Sequence, residues 1–299
     1  MKMFRFYPPK GEIFISEMEA FPVHELFLNA FFGSFFVALL AGILGWMMLL
    51  RGQAFAAHAL PDIGFSGASV ALVFGVNPIF GLLLASLGGA WVMEAFSFYE
   101  KKSDLSVDRN ASDRLTGLVL AGSLALGMGV LEAFHASESD TIELLFGGLM
   151  HLSLETLWLL AGMSLFCLIG LLFLYRPLLF SALAPEMAIV RGANTWWVGM
   201  GFMTLAALGC AVCAEIAGAL LAFSLIIGPA SAAFVLNLSP LKGMIFSAIV
   251  ALILSWGGIA LYGLTGLPPA FWIGLGAVLS YLIGIFLRRY FGEKPEFVA

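Results

Sequence analysis

"FFGSFFVALLAGILGWMMLL", Phe31 to Leu50, carries no charge from end to end. Crossing the roughly 30 Å hydrocarbon core of a bilayer takes about 20 apolar residues in an α-helix, which this stretch supplies. Extended back to Leu26, it predicts a first membrane helix over 26–50. That run is too long for the h-region of a cleaved signal. The polar segment before it, 1–25, "MKMFRFYPPKGEIFISEMEAFPVHE", has no apolar stretch of its own that would serve as one.

The rest of the chain agrees with its first span. Of 299 residues, 61% are hydrophobic and 11% charged, whereas soluble domains are about half apolar and a quarter charged. This composition requires an integral membrane protein with the lipid bilayer as its surroundings. The net charge of -5 and the lack of a basic tract speak against a nucleic-acid partner.

Further apolar runs predict spans near 57–76, 78–99, 114–131, 152–175, 197–214, 217–236, 243–263 and 268–290. The fold expected is all-α and polytopic, with eight or nine transmembrane helices forming one transmembrane domain over 26–290. The run 57–76 is the least apolar, because it holds His58, Pro61 and Asp62. "TIELLFGGLMH", 141–151, is amphipathic and too short to span, so it reads as a re-entrant or interfacial outer segment. Glycine is abundant, with 34 residues, and "GILGW" and "GLGAVLSYLIG" offer small faces for close helix packing.

Charge sets the expected orientation. If the N-terminus lies outside and nine spans alternate, Arg51, Lys101, Lys102, Arg109, Arg114, Arg176, Arg191, Lys242, Arg288, Arg289 and Lys294 share one side. Only Lys2, Arg5 and Lys10 remain on the other. The positive-inside rule makes the richer side cytoplasmic, together with the tail 291–299. Glu132, Glu138, Asp140, Glu143 and Glu215 then face outward.

Immediately after the first span comes "AAHALPDIGFSG", Ala56 to Gly67. His58 and Asp62 are i and i+4, so on a helix they share one face. An ionised Asp near the centre of a membrane helix costs about 2.5–3.5 kcal/mol on insertion scales. Pro61 lacks an N–H and deprives the Ala57 carbonyl of its helical partner, and interrupted helices recur at transporter sites. One imidazole and one carboxylate suit Zn²⁺ or Mn²⁺, with water or other helices completing the shell. The alternative is a hydrogen-bonded His–Asp pair that only ties helices together.

Several stretches together resemble the permease subunits of zinc- and manganese-type ABC importers. In "EIAGALLAFSLIIGPASAAF", Glu215 to Phe234, the matching positions are Gly218, Ala219, Leu220, Leu221, Pro229, Ala230 and Ala232. Counting from Arg51, the family pattern R-R-x-S-x-x-G-D-x-L-S-H-A places Asp at position 58 and His at position 62. This chain reverses them. Gly67 and Asn77–Pro78 also fit, and "IELLFGGLM", Ile142 to Met150, is similar to the family's outer "YLFGDLL", with Gly148 in place of the acid. "SALAPEMAIVRGAN", Ser181 to Asn194, is similar to the cytoplasmic stretch that docks the ATPase, through Pro185, Glu186, Ala188 and Gly192, with Arg191 adding charge.

The resemblance covers about 26–290. It implies a permease subunit in a bacterial plasma (inner) membrane, working as a homodimer with cytoplasmic ATPase subunits and an extracytoplasmic metal-binding protein. Zn²⁺ or Mn²⁺ would be cargo, with no tightly bound cofactor. Exchanging Asp and His keeps both ligand types within one turn and shifts each by about 5.4 Å.

Other readings compete. A secondary transporter or channel would use Asp62 as a proton or cation carrier and need no docking stretch. A permease for a siderophore or cobalamin would not require His58 and Asp62. Gly64 to Gly67, "GFSG", matches the GxSG of rhomboid proteases, but His135 and His151 fall in outer-loop territory rather than opposite Ser66. No HExxH and no GxxxxGK[ST] occur, so the chain has neither a zinc-protease helix nor a P-loop of its own. Cys167, Cys210 and Cys213 lie in apolar surroundings and read as helix packing, despite the CxxC spacing of the last two. His24 has no partner visible in the sequence, and Glu215 reads as an interfacial carboxylate.

Overall fold

The computed structural model describes residues 23–102, 111–135, 144–145, 147, 154–183 and 195–291. Among these there are nine helices and no strand: α1 Val23–Leu50, α2 Ala54–Val73, α3 Pro78–Lys102, α4 Ala111–Ala133, α5 Leu154–Leu183, α6 Thr195–Ala217, α7 Ala219–Val235, α8 Pro240–Thr265 and α9 Pro269–Phe291. Eight are long and apolar enough to cross a membrane, and the apolar part of α7, Leu221–Val235, is shorter. The expected all-α polytopic fold is the fold found.

Glycine and alanine contacts fix how the helices run. Gly64 of α2 meets Leu82 and Ser86 of α3, and Gly67 meets Gly81, so these two helices are antiparallel. Gly117 and Gly127 of α4 meet Phe55 and Phe65, making α4 parallel to α2. Gly170 against Leu205 and Gly201 against Leu174 set α5 and α6 antiparallel, as Gly258 against Ile273 and Gly276 against Leu254 do for α8 and α9. Gly42 of α1 sits on the Ser247–Ala248 backbone of α8, where the Ser247 hydroxyl donates to the Gly42 carbonyl at 2.8 Å. Lipid tails are as apolar as leucine, so packing without Cβ atoms, rather than a hydrophobic drive between helices, brings the backbones together.

The α6–α7 junction needs its glycine. Gly218 has φ +83°, a conformation that glycine adopts at little cost, and it serves as the N-cap of α7. Leu144 and Leu145 pack with Phe65, Leu131 and Ala219, and Gly147 lies against the backbone of Ile216 to Gly218. This part of the expected outer segment 141–151 therefore rests on the start of α7. The remainder of that segment, His151, the tail 292–299 and the predicted docking residues Pro185, Glu186, Ala188, Arg191 and Gly192 lie outside the described residues.

Helix α1 is central and packs against α2, α5, α6, α7 and α8. Its Val37, Ala38, Leu40, Ala41, Leu44 and Met48 are wholly buried. Helices α4 and α9 lie at the periphery, with most of their spans facing out of the bundle.

Candidate functional site

Helix α2 is the least hydropathic of the eight candidate spans, yet 67% of its span is buried inside the protein. It runs between α3 on one side and α4 on another, and also touches α1, α6 and α7. A helix so enclosed can carry polar side chains without presenting them to lipid. Pro61 lies inside it without breaking it: α2 is continuous from Ala54 to Val73. The carbonyl just before the proline, that of Leu60, accepts a buried hydrogen bond from the Ser86 hydroxyl of α3 at 3.0 Å. Helix α2 is therefore not interrupted at Pro61, and the Ser86 bond falls on the Leu60 carbonyl rather than on the Ala57 carbonyl that the proline leaves without its helical donor.

His58 and Asp62 share one face of α2, with His58 Nδ1 3.5 Å from Asp62 Oδ2. The Asp62 side chain is 1% exposed and the His58 side chain 36%. Neither carboxylate oxygen has a hydrogen-bond partner, and His58 Nδ1 has none either, although all three atoms are shielded from solvent. Both residues belong to one helix and are not hydrogen-bonded to each other, so the pair does not tie two helices together. Buried polar groups are nearly always satisfied, and orphaned ones ask for a reason. The His58 ring packs at a tilt against Phe223 of α7, with centroids 5.2 Å apart, and approaches Phe55 at 6.5 Å.

Chemically, the pair offers one nitrogen and two carboxylate oxygens on a single face. These are donor types that divalent transition metals accept. Among the described residues, no group of three or more His, Cys, Asp or Glu side chains could hold a metal ion. Any ion here would take its remaining ligands from water, from backbone carbonyls or from a second chain.

A second polar group, which reading the sequence missed, lies at the end of the bundle where α1 passes into α2. Arg51 Nη2 lies 3.8 Å from Glu94 Oε1 of α3, with the side chains 13% and 9% exposed. Arg51 Nε donates to Gln53 Oε1 at 2.9 Å, and Gln53 Nε2 donates to Glu94 Oε2 at 3.4 Å. The guanidinium sits over the Phe202 ring of α6, 5.0 Å from its centroid, a favourable cation–π placement. The Glu94 carboxylate occupies the space over Gly199, where a Cβ would collide with it. Burial pulls the Arg51 guanidinium below its ordinary pKa, and the Glu94 charge opposes that shift. The sequence did hold a signal: Glu94 is a lone acid within the apolar run 78–97, and such residues have partners.

The remaining candidates are placed as follows. The Ser66 hydroxyl donates to the Ile63 carbonyl of its own helix at 2.7 Å, the bond expected of a packing serine. His135 sits exposed in the turn after α4 with φ +52°. Cys167, Cys210 and Cys213 are free and fully buried on α5 and α6. Glu215 is half-buried near the end of α6.

Among the described residues, nine apolar helices, one of them carrying a buried ionisable pair without hydrogen bonds, define a polytopic membrane protein. The sequence pattern of the ABC 3 transport family matches residues 23–288, and the chain belongs to that family. It is 25% identical over 201 residues to the manganese transport system membrane protein MntC of Halalkalibacterium halodurans, covering 67% of this chain and 66% of that one. It is 24% identical over 238 residues to the high-affinity zinc uptake system membrane protein ZnuB of Buchnera aphidicola, covering 79% and 88%. Among solved structures, PsaBC from Streptococcus pneumoniae in complex with Fab shares the fold, with a TM-score of 0.73 at 21% identity over 93% of this chain and 97% of that one.

Proposed function

We propose that this chain is the membrane-spanning permease subunit of an ATP-driven importer for a divalent transition metal, zinc or manganese, and that His58 and Asp62 hold the ion in transit. The observation that carries the reading is the unsatisfied pair: two carboxylate oxygens and an imidazole nitrogen, shielded from solvent and without hydrogen bonds, on the least apolar span of an ABC 3 chain. A cation passing between them would satisfy all three atoms at once. Two protein ligands hold an ion incompletely, which suits a site that must release it.

The chain contains no P-loop, so hydrolysis falls to separate cytoplasmic ATPase subunits, docking at 181–194 through Pro185, Glu186, Ala188, Arg191 and Gly192. A metal-binding protein delivers the ion from outside, and two copies of the chain form the working unit. The charge asymmetry supports a cytoplasmic Arg51 and C-terminus, and the bacterial relatives support a bacterial plasma membrane as the location. Relatives named for manganese and for zinc both support a divalent cargo.

The test is elemental analysis of the purified chain in lipid nanodiscs, equilibrated separately with Zn²⁺ and Mn²⁺, for wild type, His58→Ala and Asp62→Ala. Stoichiometric metal in the wild type that is lost in both variants is the expected result, and the better-retained ion names the cargo. Binding unchanged by either substitution would remove the pair from the pathway. ATP-independent uptake by the chain alone would instead favour a secondary carrier.

A further inference from the structure

The two members of the metal pair are held differently. The Asp62 side chain is 1% exposed, whereas that of His58 is 36% exposed. An imidazole turns about two side-chain bonds, and the second has a broad torsional preference. A metal-ligating histidine usually donates its second ring N–H to a carboxylate, a carbonyl or water, which fixes its orientation. For His58, Nδ1 has no hydrogen bond, and the neighbours of the ring are Asp62 and two aromatic side chains.

These two aromatics are not equivalent. Phe55 precedes His58 by one turn on α2, and its ring is the more distant, 6.5 Å against 5.2 Å for Phe223. It moves with α2 and cannot fix the imidazole relative to the rest of the bundle. Phe223 comes from α7, in the second turn after the Gly218 cap. That helix is tightly seated: Gly45 of α1 lies against the Ile226 backbone, and Gly228 lies against Ala277 of α9. Between Ile216 and Ala233, Phe223 is the one aromatic residue.

Ligand atoms about 2.0–2.2 Å from one ion lie about 3–3.5 Å from each other. The 3.5 Å between His58 Nδ1 and Asp62 Oδ2 is therefore already a chelating distance. A ring free to swing would leave that spacing, and each binding event would have to restore it at a cost in entropy.

We infer that Phe223 is a positioning residue for the metal pair: its ring holds the His58 imidazole where Nδ1 and the Asp62 carboxylate take one divalent ion together. This rests on the proposed function, since the ion is the cargo named there. Phe223 supplies no ligand atom and acts through His58.

The experiment measures Zn²⁺ and Mn²⁺ affinity by equilibrium dialysis of the full chain in lipid nanodiscs, for wild type, Phe223→Leu, Phe223→Tyr and Leu221→Ala. Leucine keeps apolar bulk on α7 without a ring, so the fold is retained, and tyrosine keeps the ring. Leu221 lies on the same helix but faces Gly274 of α9, so its truncation loosens packing away from His58. Phe223→Leu should weaken binding roughly tenfold, the lower end of what loss of a supporting residue costs. Phe223→Tyr should stay close to wild type, and Leu221→Ala should lower the thermal midpoint without weakening binding. Ring-nitrogen NMR of the metal-free chain, with His58 left as its one histidine by His24→Gln, His135→Gln and His151→Gln, should show one ordered ring. Adding Phe223→Leu should turn that signal into a motionally averaged one. Wild-type affinity in Phe223→Leu, or equal losses in Phe223→Leu and Leu221→Ala, would overturn the inference while leaving the proposed function standing. A ring signal unchanged by Phe223→Leu would overturn it in the same way. A wild type that takes up neither ion would overturn both.

Discussion

Two ionisable groups sit about two helical turns apart along α2 and its entry, and they are built in opposite ways. Arg51, Gln53 and Glu94 form a closed set: each charge has its counter-charge, each amide its partner, and the guanidinium has an aromatic face beneath it. His58 and Asp62 form an open set, with three shielded polar atoms and no hydrogen bond among them. Burial alone does not separate the groups, since Asp62 and Glu94 are both shielded. Satisfaction does. A satisfied buried charge stabilises one arrangement, whereas an unsatisfied one is a standing cost that persists where something else is bound.

The sharpest way to break this comparison is metal binding. His58→Ala and Asp62→Ala should each weaken Zn²⁺ or Mn²⁺ binding by more than the roughly 10–100-fold that loss of a supporting residue costs. Glu94→Gln should leave it intact. Equilibrium dialysis of the three variants decides the matter, and a parallel loss in Glu94→Gln would merge the two groups into one site.

Stability of the metal-free protein should move in opposite directions. Glu94→Ala strands the Arg51 guanidinium and should cost about 3–5 kcal/mol, the usual penalty for breaking a buried pair. Asp62→Leu replaces an orphaned carboxylate with an apolar side chain of similar size and should raise the thermal midpoint, with the stranded group's penalty of about 1–3 kcal/mol relieved. A fall in the midpoint for Asp62→Leu would mean that the carboxylate has a structural partner.

The scaffold that presents the open pair depends on close backbone approach. Gly67 and Gly81 face each other across α2 and α3, and a side chain at either meets the other's carbonyl. Gly67→Leu should cost about 1–3 kcal/mol by overpacking, read from thermal unfolding in nanodiscs. The smallest effect belongs to Ser86→Ala, which removes one bond to the Leu60 carbonyl. It should cost about 0.6 kcal/mol, the average for hydrogen bonds between membrane helices. A much larger loss would show that this bond contributes more than packing to the contact between α2 and α3.

Much of this was legible beforehand. The uncharged run 31–50 and its successors predicted the helices to within a few residues, because a bilayer admits only long apolar stretches, except that α5 runs eight residues past its predicted end at 175. The i, i+4 spacing put His58 and Asp62 on one face, as it must on any helix. Pro61 was less legible. Its missing N–H predicts an interruption, yet α2 runs on through it, and no local pattern shows the bond that the neighbouring Leu60 carbonyl accepts from Ser86, 26 residues away. Glu94 was visible as a lone acid in an apolar run, yet its link to Arg51 and Gln53 depends on how α3 lies against the α1–α2 turn.

The sequence by itself determined that the chain lives in a membrane, that it crosses many times, and which residue types lie within the spans. Those properties follow from transfer free energies and helix length, which are local. Tertiary structure decided which polar groups are paired and which are left open. Whether a buried charge finds a partner depends on what neighbouring helices bring within about 3–4 Å, and that distance is set by packing across the whole bundle.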